Sequence, residues 1–470
     1  MLYPNMSKFV KPKVRSGVSL PYQANRKVVH FIGIGGIGMS SLARWFLAEN
    51  WLVTGSDAVE SQITRELKKD GIKVKIGHKS VNLPEKADLV IYSAAIPLDN
   101  SELQKADNLD IKRETYPEAL GELTKKYKTI AIAGSHGKST TTAMVSTILI
   151  KAKMDPTVII GTKLNGWNMR HGKSDWLVIE ADEYKGAFWH YRPYAAIVTN
   201  IDLEHVDFYE DLKAVKNSFL KFLKSVPKKG DIILNGDNKN SASLIPRLKG
   251  WGNIINFSEK NKSEIQKIKR VIKIPGTHNI MNALAAYKLG EKLGINEKTI
   301  LSALSEFKGV WRRIEYKGVT KNGVKVYDDY AHHPTEIKAT LQALREKFPS
   351  QSIAVCFEPH QQRRLTALYK DFVSSWNDAD YVLLLDAYNP KGRDELSKTK
   401  NSKSLARDIN NLPSSVIPTK AGIQVSKATY IKNVKNIKPS IAKLSLKKGD
   451  ILVLMGAGNI SDITPLLLSR

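Results

Sequence analysis

The sequence predicts an α/β protein built as three successive domains, each around a largely parallel sheet. Three observations carry that prediction. Near-continuous apolar runs alternate with helix-like stretches along the 470 residues, the pattern of strands buried on both faces between covering helices. Two glycine-rich segments each follow such a strand and open a helix. A third set of motifs, basic and bearing paired histidines, lies in the last third of the chain.

Taken in order, strands are predicted over 28–35 and 52–56, with a helix over 39–47 between them. Further strands are predicted over 129–134, 176–182, 195–200 and 231–237, then over 324–330, 352–358, 381–386 and 450–456. Helices are predicted over 140–152, 278–293, 334–347 and 402–411. A lysine-rich linker at 125–127 ends the first domain (1–127), in which residues 1–25 read as a basic arm. The second domain (128–310) stops before Trp311-Arg312-Arg313, and the third is 311–470. Residues 413–426 have two prolines, a glycine and no clear period, and are expected to form a surface loop.

Composition narrows the function classes. Lys and Arg number 73 against 46 Asp and Glu, a formal charge of +27. Such an excess suits polyanionic partners. The bases are spread out, without an aromatic-interleaved basic block, so phosphorylated small ligands are expected and nucleic acid is not. No apolar run reaches about 18 residues, so no membrane span is expected. The basic arm lacks the apolar core of a secretory signal. The single cysteine, Cys356, excludes an intramolecular disulfide and fits a reducing cytoplasm.

The first glycine-rich segment includes Gly33, Gly35, Gly36 and Gly38, after a strand and before a helix. Glycines there let a backbone approach a diphosphate at a helix N-terminus. Asp57, about 20 residues on, stands where a ribose-binding acid is expected. Alone, this reads as the Rossmann-like site of a dinucleotide-dependent dehydrogenase. The second segment, Gly134-Ser135-His136-Gly137-Lys138-Ser139-Thr140, is a compact P-loop. Its N–H groups would cradle phosphates, Lys138 would neutralise β/γ oxygens and Ser139 would reach Mg²⁺. Glu180 (in Glu180-Ala181-Asp182-Glu183) and His205 (in 200–207) follow strand ends, where metal ligands belong in such a domain. Magnesium usually takes one or two carboxylates. Asn279 and Asn282 lie three apart and share a helix face, suited to an adenine edge or a ribose; helix capping by Thr277 and Asn279 is the competing reading. In the third block Arg312, Arg313, Asp328, Asp329, His332, His333, Glu358, His360, Arg363 and Arg364 read as a substrate rim.

These motifs in this order resemble the Mur ligases of peptidoglycan precursor synthesis. The resemblance rests on GIGGIGM, GSD (55–57), YSAAIP (92–97), GSHGKSTTT, EADE, TNIDLEHVD, HNIMNA, RR, DDYAHHPTE, FEPH and MGAGNI (455–460), and covers nearly the whole chain. It implies a Rossmann-like UDP-sugar-binding first domain, a P-loop ATPase-type central domain for ATP and Mg²⁺, and a Rossmann-like third domain contacting the amino acid. It implies an ATP-dependent ligation through an acyl phosphate, with Lys138, Glu180 and His205 as catalytic residues. Ser139, Glu180 and His205 would hold metal. Asn279, Asn282, Arg313 and Asp329 would join loop 134–140 on ATP. Gly35, Gly36, Gly38, Asp57, Ser93, His333, His360 and Arg364 would bind substrates. The position of the carbamylated lysine found in several members falls on Phe219, with Lys216 and Lys221 nearby, so none is expected. Two branches share these motifs. One adds L-alanine to UDP-N-acetylmuramate, and His360 with Arg364 favours it. The other recycles a free tripeptide onto the same nucleotide sugar, and Glu358, in place of Gln, leans towards it. A monomer or weak homodimer is expected. A dehydrogenase would leave Lys138 and all that follows unexplained, and a basic P-loop nucleic-acid-binding protein would use the charge alone.

Overall fold

The computed structural model describes residues 26–205, 208–388, 400–412 and 427–468. The predicted arm (1–25) and surface loop (413–426) lie outside the described residues.

Three sheets follow one another along the chain. The first contains β1 (Val28–Ile32), β2 (Leu52–Asp57), β3 (Lys73–Ile76), β4 (Leu89–Tyr92) and β5 (Arg113–Thr115), all parallel, in the order β3-β2-β1-β4-β5. The second contains β6 (Lys128–Ala133), β7 (Thr157–Leu164), β8 (Trp167–Arg170), β9 (Trp176–Glu180), β10 (Ala195–Val198), β11 (Asp231–Asn235) and β12 (Asn253–Phe257), ordered β12-β11-β10-β6-β9-β7-β8. The third contains β13 (Glu315–Val319), β14 (Lys325–Asp329), β15 (Ile353–Phe357), β16 (Tyr381–Leu385), β17 (Lys427–Ile431) and β18 (Ile451–Met455), ordered β13-β14-β18-β15-β16-β17. This is a mixed α/β architecture in which, among the described strands, only the edge pairs β7–β8 and β13–β14 are antiparallel.

Sequence explains which strands sit in the middle. β10 (AAIV), β15 (IAVCF) and β18 (ILVLM) are buried at every position, as strands covered on both faces must be. Edge strands look different. β3 reads KVKI with one buried residue, and β13 reads EYKGV with none. Charged edges resist pairing with another chain. The two antiparallel strands come from hairpins. β7 returns into β8 through Asn165 and Gly166, both at positive φ (49° and 88°), where an Asn-Gly pair costs least.

Each sheet reverses its winding at one point, and ligand crevices of open α/β sheets form there, outside the C-terminal strand ends. In the first sheet that point lies between β1 and β4, and in the second at β6. The glycine-rich loops leave β1 and β6.

Candidate active site

The loop after β6 is shaped by contacts that only glycine permits. Gly134 and Gly137 have φ of 135° and 83°. A Cβ on Gly134 would lie 2.0 Å from Thr199 Oγ1, and one on Gly137 2.6 Å from Asn282 Oδ1. Thr199 and Asn200, just past β10, hold the loop from below. Asn200 Oδ1 accepts from His136 N at 2.9 Å, while Thr199 Oγ1 donates to His136 O at 2.5 Å. Helix Lys138–Lys151 then begins, its first N–H groups free for an anion.

Lys138 turns back under the loop. Its Nζ donates to Gly134 O at 2.6 Å and to Glu183 Oε2 at 2.9 Å. Burial disfavours the ammonium, but Glu183 and Asp182 outweigh it and hold the proton more firmly than usual. Burial likewise opposes charge on Glu183, yet Lys138 and His205 bring its carboxyl down to about 2. Its other oxygen, Oε1, is buried without a hydrogen-bond partner among the described residues; His205 Nε2 is 3.6 Å away. His205, at φ 56°, lies tilted against Tyr184, with ring centres 4.7 Å apart and ring planes at 39°. Asp182, Glu183 and His205 present ligand atoms within 4.8 Å of one another.

Ser139 Oγ donates to Glu180 Oε2 at 3.1 Å, and Glu180 Oε1 accepts from Gly161 N at 2.8 Å. Burial still raises the Glu180 carboxyl above its usual range. Asp182, Glu183 and His205, with one orphaned buried carboxylate oxygen, form a donor set that a hard divalent cation fits, whereas the Ser139–Glu180 pair, expected to join His205 on the metal, is not part of that cluster.

Two clefts meet at this loop. The first, about 250 Å³, lies between the second and third sheets. Of the residues expected on ATP, His136, Gly137, Ser139, Thr140, Asn279, Asn282, Arg313 and Asp329 line it. Gly134, Ser135 and Lys138 do not; they shape the loop from behind, with Ser135 Oγ on Asp202 O at 3.2 Å. Asn279 Nδ2 donates to Pro275 O at 2.6 Å, and helix Thr277–Lys292 has no side-chain cap, so the capping reading does not hold. Arg313 pairs with Glu336 at 3.0 Å. Its neighbour Arg312 differs entirely: it is buried, pairs with Asp328 at 3.3 Å and donates to the carbonyls of Gly456 and Gly458, bracing the third domain.

The second cleft, about 900 Å³, is walled by all three sheets' strand-end loops. Of the residues expected on substrate, Gly36, Asp57, Ser93, His333 and Arg364 line it, together with Tyr184, Glu204, His205 and Gln361. Gly35, Gly38 and His360 are not among its lining residues. A Cβ on Gly35 would meet the Asp57 carboxylate at 2.8 Å, and one on Gly38 the Tyr116 ring at 3.0 Å, so both glycines serve packing. His360 lies behind, against the rings of His332 and Tyr388. Asp57 accepts from Gly35 N at 2.8 Å and orders the loop. Glu358 is turned from the cleft. Its Oε2 accepts from Ile460 N at 3.1 Å, so its identity reports on the 456–460 loop and not on the acceptor. Phe219 is fully buried and meets Phe188 edge-on, and neither Lys216 nor Lys221 lines either of these two clefts.

His136, Glu204 and His333 join the clefts. The two rings are 5.0 Å apart, and Arg364 Nη2 reaches Glu204 Oε2 at 3.3 Å. Burial opposes charge on His136, but Asp202 and Glu336 push it up to about 9. Glu183, Glu336, Thr199 and Glu204 were missed as site residues by sequence reasoning. All four stood inside quoted motifs, but no local signal tells a buried partner from an exposed strand-end residue.

Comparisons with known proteins place the chain in a family. Sequence profiles described as "Mur ligase family, catalytic domain", "Mur ligase middle domain" and "Mur ligase, glutamate ligase domain" match residues 28–128, 132–290 and 312–458. The chain is 38% identical to a UDP-N-acetylmuramate–L-alanine ligase of Clostridium botulinum over 93% of its length and 96% of the relative's. Identity is also 38% with the ligase of the same name from Clostridium acetobutylicum, covering 94% and 98%. The crystal structure of a UDP-N-acetylmuramate–alanine ligase from Thermotoga maritima matches with a TM-score of 0.76 at 26% identity, over 94% of this chain and 98% of that one. A murein peptide ligase from Psychrobacter arcticus matches with a TM-score of 0.67 at 26% identity, with the same coverage. With three profiles in order along most of its length, the chain belongs to the Mur ligase family.

Proposed function

We propose that this protein is an ATP-dependent ligase that joins L-alanine to the lactyl carboxylate of UDP-N-acetylmuramate in peptidoglycan precursor synthesis. One observation carries the reading: His136, which lines the P-loop cleft, has ligand atoms within 4.8 Å of those of Glu204 and His333, which line the larger three-walled cleft, so the two clefts meet at this trio. A phosphoryl group leaving the first cleft would enter the second there.

A carboxylate is a poor acyl donor, and its phosphorylation by ATP makes it a good one. Such transfer needs alignment and charge neutralisation more than covalent help. Residues 128–310 would hold ATP on loop 134–140, with Asn279 and Asn282 on the adenosine side. Residues 26–127 would hold UDP on the loop after β1. Residues 311–470 would bring Arg313 and Asp329 to ATP, and Arg364 and His333 to the amino acid. Lys138 keeps a fixed positive charge beneath the β/γ phosphates. Glu183 and Glu204 accept hydrogen bonds where an incoming ammonium must lose a proton. Mg²⁺ would be held by Ser139 and Glu180, with Glu183 and His205 beside it, and would supply further neutralisation of phosphate oxygens. We place the enzyme in the cytoplasm, where ATP and nucleotide sugars are made, as a monomer or weak homodimer. Among the described residues no helix is long and apolar enough to cross a membrane.

The test is phosphate release from ATP with Mg²⁺ and UDP-N-acetylmuramate. The expected result is release that depends on L-alanine and stops with EDTA. Release that depends instead on the tripeptide L-Ala-γ-D-Glu-meso-diaminopimelate would assign the chain to the recycling branch. Release with neither would overturn the reading.

A further inference from the structure

A charged cluster is buried in the first domain, apart from the phosphate chemistry. Glu102, the second residue of helix Ser101–Asn108, is fully buried. Its Oε2 is 2.7 Å from His30 Nε2, and its Oε1 is 3.2 Å from His78 Nδ1. His30, on β1, is also fully buried, and its Nδ1 is 2.8 Å from Thr54 Oγ1 on β2. His78 Nδ1 lies 2.9 Å from Ser56 Oγ, also on β2. His78 follows β3, keeps 20% of its side chain exposed, and lines the three-walled cleft.

Elementary chemistry sets the protons. Burial opposes ionisation of Glu102, but His30, His78 and Ser56 outweigh it and lower the carboxyl to about 2. The first turn of a helix also favours an anion. An ionised carboxylate only accepts, so the ring nitrogens that face it carry hydrogen. His30 Nε2–H donates to Glu102, with Thr54 Oγ1 held 2.8 Å from the other ring nitrogen. His78 Nδ1–H likewise points inward at Ser56 and Glu102. In that tautomer the ring offers Nε2, a bare acceptor, to the cleft.

Position says which part of a ligand would meet it. In the order β3-β2-β1, the diphosphate loop follows β1 and Asp57 ends β2. The loop after β3 lies one strand further from the diphosphate, on the nucleoside side. Diphosphate oxygens are acceptors and cannot satisfy a bare nitrogen. A uridine can, through its imide N–H or its ribose hydroxyls.

We infer that His78 reads a hydrogen-bond donor of the uridine half of the substrate, and that Glu102 is the positioning residue that fixes its tautomer. This rests on the nucleotide-sugar reading of the cleft. Glu102→Gln would turn an amide N–H to one imidazole and allow His78 to present Nε2–H instead, a donor facing a donor.

The experiment is calorimetric binding of UDP and, separately, ATP to the full chain. His78→Ala at the cleft wall is expected to weaken UDP binding about tenfold, the worth of one neutral hydrogen bond, with ATP binding unchanged. Glu102→Gln should cost a similar factor, and the double variant no more than His78→Ala alone. The wild-type chain should also discriminate against either N3-methyl-UDP or 2′-deoxy-UDP, which identifies the donor without any variant. Unchanged UDP affinity in His78→Ala, additive losses in the double variant, or equal affinity for all three nucleotides would overturn the inference. Absence of UDP binding by the wild type, with ATP binding intact, would instead overturn the reading on which it rests.

Discussion

Lys138 Nζ lies 2.9 Å from Glu183 Oε2, a carboxylate with 1% of its side chain exposed, so the lysine of the phosphate loop is neutralised from the segment after β9 before nucleotide arrives. Neither charge is stable there alone. Replacing Lys138 by Met is expected to abolish L-alanine-dependent phosphate release, by roughly 10²–10³ or more, as when one transition-state charge contact is removed. It should also destabilise the unliganded protein by about 3–5 kcal/mol, because Glu183 is left buried and unpaired. Adding Glu183→Gln to that variant should recover stability without activity. Denaturant titration and the phosphate assay read the two effects separately.

Gly137 makes a sharper steric test. Its φ of 83° and the 2.6 Å separation between a hypothetical Cβ and Asn282 Oδ1 act together. The left-handed conformation alone costs an alanine about 1–2 kcal/mol. Gly137→Ala should therefore raise the KM for ATP by tenfold or more while UDP still binds with its wild-type affinity. An unchanged KM would show that the loop relaxes freely and that its observed shape is not required.

Arg364 spans the third domain and the central one through Glu204 at 3.3 Å, at the wall of the larger cleft. A charge-assisted hydrogen bond is worth about 1.5–3 kcal/mol. Arg364→Ala should raise the KM for L-alanine roughly ten- to a hundredfold and leave the KM for ATP within a factor of two or so. Equal increases in both would mean that Arg364 serves domain docking and not the amino acid.

His136 gives a pH signature. Its folded value of about 9 lies above the unfolded value of about 6.5. The folded state therefore binds the proton more tightly, and this stabilisation is fully present below about pH 6.5. It is lost as pH rises towards 9, when Asp202 and Glu336 lose their partner. Wild type and His136→Gln should differ in Tm at pH 6, and the gap should shrink by pH 9.5. A gap that widens with pH would contradict the ion-pair account.

The central strands and both glycine-rich loops were legible because their causes are local. A strand covered on both faces must be apolar throughout, and a phosphate loop is made of consecutive residues. The unpredicted strands β3, β5, β8, β12 and β13 are all sheet edges, where one side meets solvent and apolar periodicity fades. β4 and β7 are the interior exceptions, and the Asn165-Gly166 turn was an unread signal for the β7–β8 hairpin.

For the candidate site, the sequence by itself determined which chemistry is available: a P-loop lysine, strand-end acids, paired histidines and arginines. Only the tertiary structure decided which of them meet. Glu183 reaches Lys138 across 45 residues, and Arg364 reaches Glu204 across 160. Arg312 and Arg313 are adjacent in the chain yet face a buried carboxylate and an open cleft respectively. His30, His78 and Glu102 belong to no motif and meet because β1, the segment after β3 and helix Ser101–Asn108 come together. Local sequence encodes backbone shape and chemical type, whereas pairing between distant side chains depends on strand order and register, which no short segment contains.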